Sequence, residues 1–286
     1  MNESFSRRQF LAASSAATAA ALAPTWIASA APAAAKDPYL GWPVGVQSYS
    51  FRKFNTYLAI RHMNGLGIHY SEFAFTHLTL DASPQRIDRV LRLLTDAKIK
   101  MVAHGVNRFS ADHNANRKIF KFAERAGIRT LTASPSPDSF DSLERLVDEF
   151  DIRIAIHNHG PGSEYDSLAD VKDPIQGKHK WIGACIDTGH FLRSKVDPIK
   201  AAYELGERVF ALHVKDVAQM TPESHDVILG TGHLDLVDLF KAMRDVKFPR
   251  DGGISLEYES NPDNPFDDVK QSLLAVQEAL AKVGRF

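Results

Sequence analysis

From Pro43 onward, short apolar runs alternate with amphipathic stretches. The runs at 44–49, 70–75, 99–106, 130–134, 152–156, 182–187, 209–214 and 253–258 read as strands. Between them the apolar residues fall at helical spacing, as in Ile87, Val90, Leu91 and Leu94 behind the Ser83-Pro84 cap. Helices are likewise expected over 57–63, 116–126, 142–150, 201–205, 236–246 and 269–283. Eight strand–helix units in about 250 residues predict a (β/α)8 TIM barrel. The rival is a doubly wound open sheet, which wants a Gly-rich first turn. Val46-Gln47-Ser48-Tyr49-Ser50-Phe51 contains no glycine. No composition shift divides residues 43–286, so one domain is expected.

The last four strands share a second pattern. Barrel strands alternate inward and outward side chains, and functional groups gather at their C-terminal ends. Ile152, Ile154 and Ile156 oppose Ala155 and His157, and Ile182, Ala184 and Ile186 oppose Gly183, Cys185 and Asp187. Phe210, Leu212 and Val214 oppose Ala211, His213 and Lys215, and Ile254 and Leu256 oppose Gly253, Ser255 and Glu257. One face is bulky and suits packing against helices. The other is small until it ends in His157, Asp187, His213 or Glu257. An isolated carboxylate at the end of a buried strand costs several kcal/mol unless a cation or donors meet it. Two imidazoles and two carboxylates converging at one barrel mouth predict a site for one divalent cation, Zn, Mn, Co or Fe.

Other polar residues crowd the same rim. His159 follows His157, His190 follows Asp187, Lys215 and Asp216 follow His213, and Glu72 and His104 end strands two and three. Some of these must orient ligands or contact substrate, and the latter role is expected of Glu72, His104 and His190. Lys215 is expected either to bind an oxyanion or act as an acid/base, or to pair with Asp187 or Asp216. Gly230-Thr231-Gly232 either cradles a phosphate or sugar hydroxyl or is a plain turn before a helix capped by Asp235. Trp42, Phe51, Phe73 and Phe75 lie near the first two strands and offer an apolar wall for a sugar ring, or simply core.

Composition narrows the function. Lys+Arg 34 against Asp+Glu 35 leaves no basic surplus to attract nucleic acid or an anionic membrane. A single cysteine, Cys185, excludes an intramolecular disulfide. The N-terminus is a separate matter. Arg7-Arg8, a weakly apolar run to residue 30 and Ala28-Ser29-Ala30 read as a Tat export signal over 1–30, followed by a leader over 31–42. Periplasmic or other export is therefore expected. Pro24 and the many Ser, Thr and Ala residues make the run too weakly apolar for stable membrane insertion.

Residues 182–191, His213-Val214-Lys215-Asp216, Gly230-Thr231-Gly232 and Ser255-Leu256-Glu257-Tyr258-Glu259 together resemble the xylose isomerase-like sugar phosphate isomerase/epimerase superfamily. The resemblance implies a TIM barrel with one divalent metal at its mouth. It implies Asp187, His213 and Glu257 as ligands, with His157 standing where the superfamily carries a glutamate. That departure removes one of the two carboxylates that shuttle protons in family epimerases, leaving His159 or Glu164 to share the task. The resulting expectation is an exported isomerase or epimerase that enolises a sugar or keto-sugar, with Glu257, His159 and Lys215 catalytic. A lyase or dehydratase acting on a keto-glycoside or related carbohydrate is the alternative. A non-catalytic sugar-binding barrel is the other.

Overall fold

The computed structural model describes residues 37–286. The proposed export signal, and the leader as far as residue 36, lie outside the described residues. Eight parallel strands close into a barrel: β1 (Val44–Gln47), β2 (Tyr70–Phe73), β3 (Lys100–Phe109), β4 (Thr130–Pro135), β5 (Arg153–His157), β6 (Ile182–Asp187), β7 (Val209–Val214) and β10 (Gly253–Leu256). The short segments β8 (Asp216–Val217) and β9 (Asp226–Val227) form a separate antiparallel ribbon after β7. Helices α1 (Thr56–Gly65), α2 (Pro84–Asp96), α3 (His113–Ala126) and α4 (Phe140–Phe150) belong to the first half. The second half carries α5 (Leu168–Ile175), α6 (Thr188–Arg193), α7 (Pro198–Leu205), α8 (Leu236–Asp245) and α9 (Phe266–Val283). The open-sheet rival is excluded, because β1 pairs with both β2 and β10.

Local chemistry explains most boundaries. Ser83 caps α2 with Pro84 at its first turn, and Asp235 caps α8 by accepting from the Asp238 N–H at 2.9 Å. Two helices were not foreseen. Pro174 inside α5 breaks the helical pattern, although Ser167 and Asp170 form a capping box at its start. Thr188-Gly189 reads as a turn, yet both residues belong to α6. Gly189 is needed for close approach, since a Cβ there would lie 2.6 Å from the Lys215 Cβ.

Two further expectations are corrected. Tyr39 and Trp42, assigned to the leader, are buried in the core. Trp42 packs edge-on to Phe240, 5.3 Å between ring centroids, and donates to the Gly284 carbonyl at 3.0 Å, so it ties the approach to β1 to the last two helices. Phe210, expected on the outer face, instead joins Ala155, Cys185 and Ala211 in a small cluster of its own. The β6–β7 register shifts between Ala184 and Cys185, which leaves Phe210 as the extra residue of a bulge and re-aims it. The absent Cβ of Gly183 makes room for its ring, 2.6 Å away from where that atom would stand.

Candidate metal centre

The ends of β5, β6, β7 and β10 bring His157, Asp187, His213 and Glu257 together, with one potential ligand atom from each inside a 4.8 Å span. Asp187 is fully buried, and its two oxygens have different surroundings. Oδ1 caps α6 by accepting from the His190 N–H at 2.8 Å. Oδ2 has no hydrogen bond, although nitrogens ring it: Lys215 Nζ at 3.3 Å, His157 Nε2 at 3.4 Å, and His213 Nδ1 and His190 Nε2 each at 3.9 Å. A buried carboxylate oxygen encircled by donors it does not bond is the arrangement a shared cation satisfies. With neutral imidazoles, the two carboxylates balance a divalent charge. The donor set fits such an ion, held by His157, Asp187, His213 and Glu257.

Residues behind the quartet hold it in place. The Asn158 amide clasps the backbone of Asp187, accepting from its N–H at 2.8 Å and donating to its carbonyl at 2.9 Å. Thr188 Oγ1 accepts from the Lys215 N–H at 2.9 Å and donates to the Lys215 carbonyl at 2.6 Å, tying the ends of β6 and β7. His213 presents Nδ1 to Glu257 Oε2 at 3.0 Å and donates from Nε2 to Glu72 Oε2 at 2.9 Å. A carboxylate behind a histidine, fixing its tautomer and ring plane, is the usual support of a ligand imidazole. Thr132 and Ser255 donate to the same Glu72 carboxylate.

The expectation that Glu72 and His104 contact substrate is therefore corrected, since neither lines the cavity above the site. Glu72 lies inside the barrel beneath His213. His104 is buried with Nε2 2.8 Å from the Leu78 carbonyl and Nδ1 3.2 Å from Asn107. A register shift between His104 and Asn107 extends β3 well past the position read as its end. Glu164 lines a different cavity, beside α4 and α5, and is no substitute for the strand-five carboxylate. Of the four aromatic residues offered as a wall, only Phe75 reaches the cavity, while Trp42, Phe51 and Phe73 are core.

The phosphate-cradle reading of Gly230-Thr231-Gly232 also falls. The N–H groups of Gly230, Gly232, His233 and Leu234 all donate to the Asp216 carboxylate, at 2.7 to 3.0 Å. A protein anion occupies the place an external one would take. The Asp216→Ala variant is expected to lose about 3 kcal/mol of stability, because several buried donors lose their acceptor. Urea unfolding followed by circular dichroism measures that loss.

Charge in the metal-free chain is strongly organised. Burial opposes the Lys215 charge, but Asp187, Glu257 and Glu259 hold the ammonium well above its ordinary range. Burial likewise opposes ionisation of Asp187 and Glu257, yet both carboxyls lie below normal: the His190 ring, Lys215 and the His157 ring lower Asp187, and Lys215 and His213 lower Glu257. His213, between Glu72 and Glu257, is raised despite its burial. His159 is pushed down to about 4 by burial and by His157. His190 falls to about 3, where burial outweighs the pull of Asp187. Their rings stack at 5.8 Å and both line the cavity. Cys185, beneath His213, is pushed up to about 11 by burial and is inert as a nucleophile.

The cavity, about 430 Å³, is walled by two sets of strands. Strands β5 to β10 contribute the histidines, Lys215, Glu257 and Glu259; strands β1 to β4 contribute Gln47, Tyr49, Phe75, Arg108 and Ser134 among others. The second set, apart from Phe75, was missed, because nothing in strand parity distinguishes it from ordinary rim.

Residues 60–279 match the family of xylose isomerase-like TIM barrels. The chain belongs to this family. The inosose dehydratase of Lacticaseibacillus casei is 29% identical over 150 residues, 44% of this chain and 48% of that protein. This chain thus spans about half the length of the curated relatives it matches. Among solved structures, an uncharacterised protein of Parabacteroides distasonis ATCC 8503 is 26% identical with a TM-score of 0.66, covering 83% of this chain and 99% of that one. A Bacillus anthracis protein described as the probable 3-DHS dehydratase of petrobactin synthesis shares the fold at 15% identity and TM-score 0.64, covering 84% and 98%. A D-psicose 3-epimerase does so at 14% and 0.63, covering 84% and 97%.

Proposed function

We propose that this family member is a divalent-metal-dependent lyase or dehydratase that removes a proton beside a carbohydrate carbonyl and expels an oxygen substituent from the next carbon. The observation that carries this reading is the donor set itself. His157 occupies the strand-five position, so the two-carboxylate proton relay implied for family epimerases is absent and the bound centre is neutral overall. A divalent ion there would polarise the carbonyl and its neighbouring hydroxyl, acidifying the C–H between them. Lys215, held as an ammonium, supplies positive charge to the developing enolate oxygen and is no base. His159, neutral at pH 7 and lining the cavity, accepts the proton. The C–H electrons form the enolate, which collapses to a carbon–carbon double bond. As the carbonyl re-forms, the departing oxygen leaves with its bonding pair and takes the proton that His159 accepted. The name of the inosose dehydratase relative supports the same class of reaction.

The isomerase or epimerase outcome is the second reading, favoured by the stacked pair His159 and His190, which offers two neutral bases to take and return a proton. Metal-loaded protein incubated with keto-sugars in deuterated water separates the cases. Elimination is expected to produce a conjugated enone absorbing in the near ultraviolet, whereas isomerisation exchanges the carbon-bound proton without one. With metal bound and neither signal, only the carbohydrate-binding barrel remains. Export through residues 1–30 is part of the proposal and is checked by cell fractionation. Among the described residues, no helix is long and apolar enough to cross a membrane.

A further inference from the structure

The two walls of the cavity differ in kind. The β5-to-β10 wall holds the metal quartet and the proton-carrying groups. The β1-to-β4 wall contributes Gln47, Ser134 and Arg108 as hydrogen-bonding groups and Tyr49 and Phe75 as aromatic rings. None of these five is a histidine or a carboxylate. Phe75 is 60% exposed, while Phe51 and Phe73 nearby in sequence are fully buried. A large aromatic face left open inside a cavity wall marks a contact surface for a ligand. The wall is built in advance. The Arg52 guanidinium lies 4.9 Å from the Tyr49 ring centre and donates to the Tyr49 carbonyl at 3.3 Å, fixing that ring in place. The β3–β4 register sets Arg108 beside Ser134, so their side chains can act on one group together.

We propose that this wall is a subsite for the second sugar ring of a glycoside, whose first ring reacts at the metal wall. The inference rests on the reading above, in which the reacting carbonyl lies against His157, Asp187, His213 and Glu257. A cavity of about 430 Å³ lies within the range of about 300–1,000 Å³ that houses drug-sized ligands, and a single pyranose leaves much of it empty. Phe75 takes the apolar C–H face of the second ring. Arg108, Ser134 and Gln47 meet its hydroxyls. The oxygen joining the two rings then lies between the walls, where an expelled substituent must leave.

The test needs no turnover. Binding to the metal-loaded protein is measured by calorimetry for methyl α- and β-D-glucopyranoside, and for maltose and cellobiose, which carry a second ring. At least one disaccharide is expected to bind on the order of tenfold more tightly than its methyl glucoside. The Phe75→Ala variant is expected to remove that preference while leaving methyl glucoside affinity and metal content unchanged, and Phe75→Tyr to restore it. Equal binding of methyl glucosides and disaccharides by the parent protein overturns the subsite, as does no binding of any of the four. Equal weakening of both classes by Phe75→Ala also overturns it. A disaccharide preference without proton exchange or enone formation overturns the proposed reaction and leaves the subsite standing. Enone formation without a disaccharide preference does the reverse.

Discussion

Asp187→Asn is expected to abolish activity and to lower metal content to under a tenth of the parent protein's, the loss of a charged ligand amounting to several kcal/mol. The substitution is chosen because it separates the two oxygens of this residue. Asparagine keeps an acceptor for the His190 N–H that now bonds Oδ1 at 2.8 Å, so α6 stays capped. What disappears is the charge on Oδ2, the atom ringed by His157, His213, His190 and Lys215 without a hydrogen bond. Elemental analysis of the purified variant reads the effect directly. His157→Ala provides the comparison, with metal affinity expected to fall on the order of a hundredfold. If it leaves occupancy intact while Asp187→Asn empties the site, His157 is not a ligand and the quartet is reduced to three.

The metal-free protein is expected to lose several kcal/mol of stability as the pH falls from about 6.5 to about 3. The sign follows from the histidines. His159 and His190 remain neutral in the folded chain down to about 4 and about 3, while an unfolded histidine protonates near 6.5. Through that window the unfolded state binds more protons, so acidification favours unfolding. Below about 4 the carboxyls add to it. Asp187, Glu257 and Glu72 all have folded values below normal, so their contribution is present above the unfolded carboxyl range and disappears as they are forced to protonate. His213 acts in the opposite sense. Its raised value stabilises the fold below about 6.5, and that contribution is lost as the pH rises through its folded value. Thermal unfolding of chelator-treated protein across this range measures the balance. Metal should raise the curve most at its upper end, where the ligands are deprotonated, by binding the folded form alone.

The barrel and the quartet were legible in the sequence for one reason. Strand parity in the second half is nearly unbroken, and each small-residue face ends in a histidine or a carboxylate. Where parity failed, the cause was an insertion in the ladder. Phe210 turned inward at the β6–β7 shift, and His104 moved away from the strand end at the shift in β3. The supporting residues were misread for a different reason. Glu72 looks like any acid at a strand end, and only the closed barrel shows its carboxylate 2.9 Å from a histidine of β7. Asp216 looked like a partner for Lys215, but its four backbone donors from residues 230–234 are visible only once the glycine loop has folded over it. The helices α5 and α6 were hidden by the residues that usually end helices, Pro174 and Gly189.

The Glu72 contact also bears on the order of events in folding. It joins residues separated by 141 positions, and Ser255 reaches the same carboxylate across 183. Such a bond forms only after the chain has bent its second strand round to meet its seventh and eighth, late among the contacts because of the long loops it closes. Until then the His213 ring has no fixed plane, and a half-assembled barrel presents only loose donors. An ion held by the quartet would thus be captured after barrel closure, by a finished fold, and would not template an unfinished one.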